Sequence, residues 1–317
     1  MTIFLDDAPI QLSNGIEGAI WTVNTANPSN FYQAISKPAD SPTTTIFAQT
    51  FLPGGTQKPP VVIVVPGSMG VAPSHVAKAE ILTEAGIAAC IIDPFGARGV
   101  TSTVANQAQF SFAASAWDVL ATVDQLIAQG NVDAGRVGVQ GHSRGGAAVL
   151  SAASMKGLTK FEGSLCGVYA AYPWSGQQFL NPHVGAAKVR SIVGDQDDWC
   201  LPQQIQGHMQ AIRLCGGNAT CRIVPGAHHS FDRETPVEMI ADASVSPGAP
   251  TIYVQDDGAC IHPASGDADP DVSERDLMLY GIKAGYGIRG ARIGTSADLA
   301  QLFHDDMMAF WRQCFQL

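Results

Sequence analysis

Positive charge is scarce in this chain. It carries 18 Lys and Arg against 28 Asp and Glu, a formal net charge of −10. A surface of that sign repels phosphate backbones and anionic lipid, so neither nucleic acid nor a membrane is expected as a partner. No Lys or Arg occurs between Met1 and Ser36, and Asp6 and Asp7 break the only early apolar stretch, so no secretory signal is expected there. Long apolar runs are also missing. Val61–Val65, the longest aliphatic run of the first half, falls far short of the roughly 20 residues that a membrane helix needs. Cysteines are odd in number, seven, and scattered. Cys90 and Cys166 sit in apolar, strand-like runs and suit small core residues. This pattern points to a reducing, cytoplasmic setting, although Cys215 and Cys221 could close a loop if oxidised.

Repeats and a domain boundary are absent too, so one domain over 1–317 is expected. Sustained metal-ligand spacing is not found. His228, His229 and Asp232 cluster without it. Asp267, Asp269, Asp271 and Glu274 lack the glycine of a calcium loop and contain Pro270, so a solvated loop is expected. No metal or organic cofactor is called for.

What is present is an alternation of buried strands with amphipathic helices. The strand candidates are Ala19–Val23, Thr43–Leu52, Val61–Val65, Ala88–Ile92, Arg136–Gln140, Leu165–Ala171, Lys188–Val193 and Thr220–Val224. Helices are predicted over Pro73–Ala85, Ser111–Ala128, Gly146–Met155, Gln203–Leu214 and Ala297–Phe315. Strands alternating with helices give a doubly wound α/β sheet, mostly parallel, with helices on both faces. Ligands bind such sheets beyond the carboxyl ends of the strands. The stretch 233–296 breaks the alternation, and a loop-rich excursion of that length is expected to wall or cover a site.

The chemistry centres on Gly141-His142-Ser143-Arg144-Gly145, where a strand runs into a helix. A sharp turn of this kind lifts a serine hydroxyl off the end of the sheet and points free helix N–H groups at a developing oxyanion. A hydroxyl needs a base, and the base needs an acid. In this topology they follow in the order Ser, acid, His, each on the loop after a later strand. Asp197 is the candidate acid, with Asp195 and Asp198 on the same loop as rivals. His229 is the candidate base, with His228 as rival. The backbone N–H groups of Arg144 and Ser68 are the candidate oxyanion donors, with Met69 as the alternative to Ser68. Met69, Arg98, Trp174 and Trp199 are candidates for substrate contacts, Arg98 as a partner for a carboxylate. Each of these also has a purely structural reading, as an ion-pair partner or as packing beneath a loop.

With those loops in place the chain resembles an α/β-hydrolase, and more narrowly the dienelactone hydrolase family. The stretches that carry the likeness are Asp93–Gly99, Val132–Val139, Gly141–Gly146 and Pro225–Asp232, within a region of about 45–232 plus the last helix. The resemblance implies Ser143 as nucleophile, Asp197 as acid and His229 as base. The enzymes that name the family use cysteine as nucleophile. Serine here favours general carboxylic-ester chemistry over dienelactones, through an acyl-enzyme on a small-molecule ester. Lactone, thioester or peptide cleavage and acyl transfer use the same groups. A lyase, a peroxidase or a non-catalytic binding protein on the same scaffold are further readings. Oligomeric state is not encoded in these features.

Overall fold

Val61–Val65 is five β-branched residues, all buried. Val61, Ile63 and Val65 face one hydrophobic core and Val62 and Val64 the other. A strand with no polar face has to lie in the middle of a sheet covered on both sides, and this one does. The computed structural model describes residues 2–317 except Thr56, Glu234 and Ser296.

The strands in chain order are β1 (Ala19–Ala26), β2 (Thr43–Phe51), β3 (Val61–Val65), β4 (Ala88–Asp93), β5 (Val137–His142), β6 (Gly167–Ala171), β7 (Gln177–Phe179), β8 (Lys188–Gly194), β9 (Asn218–Val224), β10 (Glu238–Val245), β11 (Ile252–Val254), β12 (Cys260–Ile261), β13 (Ala268–Asp269) and β14 (Ile288–Ile293). The α-helices are α1 (Phe31–Ser36), α2 (Pro73–Glu84), α3 (Phe112–Ala128), α4 (Arg144–Met155), α5 (Pro202–Leu214), α6 (Glu274–Lys283) and α7 (Ala297–Phe315). The main sheet has eight strands in the order β1-β2-β4-β3-β5-β6-β8-β9. Its first two pairings, β1 with β2 and β2 with β4, are antiparallel. From β4 to β9 every pairing is parallel. This is the α/β-hydrolase architecture expected from the sequence.

Helices α3 and α4 pack on one face and α2 and α7 on the other. Ser111 caps α3 by accepting the Ala114 N–H at 2.8 Å, as its position before the apolar stripe predicts. Helix α7 docks under the serine-bearing strand, where the Trp311 indole N–H donates to Gln140 Oε1 at 2.8 Å. Among the described residues no helix is long and apolar enough to cross a membrane. All seven cysteines are unpaired thiols, Cys215 and Cys221 included.

The excursion after Asp232 is more ordered than a loop-rich stretch implies. Its two ends, near Glu234 and Ser296, include positions outside the described residues. Between them, β10 and β14 form an antiparallel pair, interrupted between Ile240 and Ser244. Strands β13, β12 and β11 add to β7 of the body in a second small sheet. Helix α6 starts with a capping box, in which Ser273 and Asp276 satisfy each other's backbone N–H groups.

Candidate active site

Three side chains meet at the carboxyl ends of β5, β8 and β9. Ser143 follows β5 directly and opens α4. Its backbone sits at φ 55° and ψ −114°, a strained conformation for a residue with a side chain. The turn closes so tightly that a Cβ on Gly141 would lie 2.0 Å from the Gly145 carbonyl oxygen, and one on Gly145 2.4 Å from that of Val65. Only glycine fits either place.

Ser143 Oγ lies 2.9 Å from His229 Nε2, and His229 Nδ1 lies 2.8 Å from Asp197 Oδ2. A hydroxyl donating to Nε2 and an Nδ1–H donating to the carboxylate make a continuous relay. All three residues are buried. The other Asp197 oxygen, Oδ1, accepts the N–H groups of Trp199 and Cys200 at 2.9 and 2.8 Å. The imidazole lies between Trp199 and Tyr172, with ring centroids 5.1 and 4.8 Å away. Its loop is pinned to β14, since the Gly294 N–H donates to the His229 carbonyl at 3.0 Å.

The rivals have other partners. Asp195 accepts the Gly226 N–H at 2.7 Å, tying together the loops after β8 and β9. Asp198 accepts the Arg292 N–H at 2.8 Å and pairs with that guanidinium at 3.1 Å. His228 turns the opposite way from His229, toward the Gln196 carbonyl at 3.1 Å.

The backbone N–H groups of Ser68, Met69 and Arg144 donate to no acceptor among the described residues. Ser68 and Arg144 are joined by a residue not singled out from the sequence, Gln107. Its side-chain amide donates to Ser68 Oγ at 3.0 Å, and its carbonyl oxygen accepts from Arg144 Nη1 at 2.9 Å. The Arg144 guanidinium is buried against the rings of Phe110 and Phe112, 4.4 and 4.1 Å from their centroids. Burial lowers its pKa to about 9.

Two cavities open on Ser143. The larger has a free volume, open mouth included, of about 1250 Å³ and takes in Ser68, Phe112, Arg144, Trp174 and Trp199. The smaller, about 370 Å³, takes in Met69, His229, Trp199 and Arg233. Met69, Trp174 and Trp199 each line a cavity that also takes in Ser143. Arg98 does not, and its reading as a substrate contact is corrected. Its Nη1 pairs with the buried Asp118 at 2.7 Å and donates to the Pro94 carbonyl at 2.6 Å, and its Nε donates to Asn27 at 2.6 Å. With those bonds made, the side chain is a structural brace between the start of the chain and α3.

Beyond Gln107, sequence reasoning missed Arg233 and a buried polar cluster under His229, and the solvated loop expected for Glu274 is corrected: Glu274 opens α6 and lines the larger cavity. Arg233 lies four residues past His229 on a loop already singled out, and that proximity was the available signal. Its Nε is buried without a partner among the described residues, and its Nη1 lies 3.6 Å from Met69 Sδ. In the cluster, Asp232 accepts from Lys78 and from the Tyr172 hydroxyl. Burial opposes the charge on Asp232 most strongly, but its basic neighbours together, Lys78 first among them, outweigh it and hold the carboxyl well below its ordinary range. His142 beside this cluster is lowered to about 3 by burial and is neutral.

Residues 47–247 match the family model described as the dienelactone hydrolase family. Among solved structures, one described as a dienelactone hydrolase from Klebsiella pneumoniae is 21% identical, with a TM-score of 0.50 over 68% of this chain and 89% of that one. A carboxylesterase from Lactobacillus plantarum is 15% identical, with a TM-score of 0.50 over 68% of this chain and 85% of that one. Identities this low speak for a shared fold. No curated protein matches the chain.

Proposed function

The chain belongs to the dienelactone hydrolase family, and from that premise we propose that it hydrolyses carboxylic esters with Ser143 as nucleophile, His229 as base and Asp197 as acid. His229 Nε2 takes the Ser143 proton as Oγ attacks the ester carbonyl. The N–H groups of Arg144 and Ser68, with Met69 as the alternative to Ser68, hold the oxyanion. As the tetrahedral intermediate collapses, the C–O bond breaks and His229 returns the proton to the leaving alcohol. Water, deprotonated by the same imidazole, then attacks the acyl-enzyme and releases the acid and free Ser143. Asp197 keeps the imidazole in the tautomer that presents Nε2 as acceptor and steadies the imidazolium.

The observation that carries this reading is the unbroken relay of 2.9 and 2.8 Å from Ser143 through His229 to Asp197. The larger cavity suits a bulky apolar group on one side of the scissile bond. The smaller, with the Arg233 guanidinium in its wall, suits a short polar or anionic group on the other.

Replacing Ser143 with alanine removes the nucleophile from a position whose fold depends on its glycine neighbours. Turnover of p-nitrophenyl acetate by Ser143→Ala is expected to fall by on the order of 10⁶-fold in kcat, with an unchanged circular dichroism spectrum. Turnover within tenfold of the unmodified protein would remove Ser143 from the mechanism.

A further inference from the structure

The larger cavity has two walls of different origin. The body supplies Phe112 and Trp174, whose rings stack with centroids 4.6 Å apart. The 233–296 excursion supplies Val245, Pro250 and Leu277 opposite them. Glu274, the first residue of α6, is the one acid among the described residues that line this space. Its Oε1 accepts the Phe112 N–H at 3.0 Å. No Lys or Arg among the described residues lies within ion-pair distance of it. The one basic side chain of the cavity, Arg144, has its Nη groups committed to the carbonyls of Gln107 and Phe110. Glu274 keeps some accessible surface, and the space it borders is the cavity.

A carboxylate without an ion pair in an apolar cavity is costly unless something donates to it. Desolvation pushes its pKa up to about 7. The backbone N–H groups of Phe112, of Ala113 and of Glu274 itself favour its charged form, against about four acceptor sites on a carboxylate. Those donors belong to the first turns of α3 and α6, and Ser111 already serves the α3 end. The remaining acceptor capacity borders the cavity that also holds Ser143.

We propose that Glu274 is a specificity-determining residue, and that the bulky, mainly apolar group of the ester held in this cavity carries a hydrogen-bond donor, a hydroxyl or an amine, that the Glu274 carboxylate accepts. This rests on the reading of Ser143 as an esterase nucleophile. A site built to accept a hydrogen bond discriminates against the analogue that lacks the donor, because the acceptor is then left buried and unpaired.

Matched esters test it at pH 8, where Glu274 is ionised. The pairs are methyl 3-phenylpropanoate with its 4-hydroxyphenyl and 4-(aminomethyl)phenyl analogues, and 2-phenylethyl acetate with the same two analogues. The two series place the aromatic group on the acyl and on the alcohol side. In one series the unmodified enzyme is expected to favour a donor-bearing ester by at least tenfold in kcat/KM, and the better donor tells hydroxyl from ammonium recognition. Glu274→Leu is expected to bring that ratio below threefold. Glu274→Gln keeps an acceptor for the Phe112 N–H without the charge, so it covers the case in which the leucine variant does not fold, and it is expected to abolish a preference for the aminomethyl ester. A ratio near one in both series, or a ratio that survives in the variants while both esters slow together, overturns the proposal and leaves Glu274 as a cap on α3. No turnover of these esters, with p-nitrophenyl acetate still hydrolysed, overturns it as well. No turnover of any ester indicts the esterase reading instead.

Discussion

Ser143, Tyr172 and Ser230 hold φ at 55°, 36° and 55°, in the left-handed region that side chains disfavour. All three border the smaller cavity. Strain of this kind persists only where the surroundings over-determine it, and here the tight serine turn and the Lys78–Asp232–Tyr172 cluster do so. Gln107 serves the other half of the site by linking Ser68 to Arg144. Gln107→Ala is expected to lower kcat about 10- to 100-fold, somewhat less than losing an oxyanion donor outright, with KM changed less than about threefold. The affinity for a boronic acid, which mimics the tetrahedral state, should fall in parallel. A loss confined to KM would show that Gln107 shapes the cavity and not the oxyanion site. The meeting of Ser143, Asp197 and His229 was legible because each lies on the turn or loop after a parallel strand, and the order of those strands fixes which loops can meet. Arg98 was misread because its partners, Asn27 and Asp118, lie 71 and 20 residues away and no local pattern announces them.

At the level of elements, the β-strands and helices of the body follow from period and turn residues. Val61–Val65 could only be a central strand, and Ser111–Ala128 could only be an amphipathic helix. The excursion was less legible for physical reasons. Strands β12 and β13 are two residues each, too short to show a period. Helix α6 has no fully buried residue, so its apolar stripe is weak. The contact that ties α6 to α3, Glu274 to the Phe112 N–H, has a pH dependence whose sign is set by the direction of the shift. Folding raises the Glu274 pKa from its usual 4.5 to about 7, chiefly by desolvation, against the backbone N–H groups of Glu274 and Phe112 and then the charge of Arg144. The folded state therefore binds the proton more tightly than the unfolded chain. That contribution to stability is fully present below pH 4.5 and is lost as pH rises through about 7. Glu274→Gln cannot ionise and escapes the loss. Its melting temperature is expected to gain on that of the unmodified protein between pH 5 and pH 8. A difference that is flat across that range would mean that Glu274 is not desolvated in solution.

For the whole molecule, the main sheet brings Ser143, Asp197 and His229 together at one edge, the carboxyl ends of its strands, and the excursion returns over that edge to form a cavity wall. The two parts are joined by several contacts. Strand β11 adds to β7 of the body. The Ser244 N–H donates to the Val104 carbonyl at 2.9 Å. Ile293 bridges to His229. The architecture explains how a strongly acidic chain can hold a site with basic side chains: Arg144 and Arg233 line the cavities that hold Ser143, while acids predominate over the chain as a whole. The central claim is that this edge forms an acyl-enzyme on Ser143. Intact-protein mass spectrometry after treatment with a fluorophosphonate measures it directly. One covalent adduct per chain is expected, mapped by peptide fragmentation to Ser143 and absent from Ser143→Ala and from protein preincubated with a boronic acid. An adduct of the same yield in Ser143→Ala, or none on the unmodified protein while it turns over p-nitrophenyl acetate, would contradict the account.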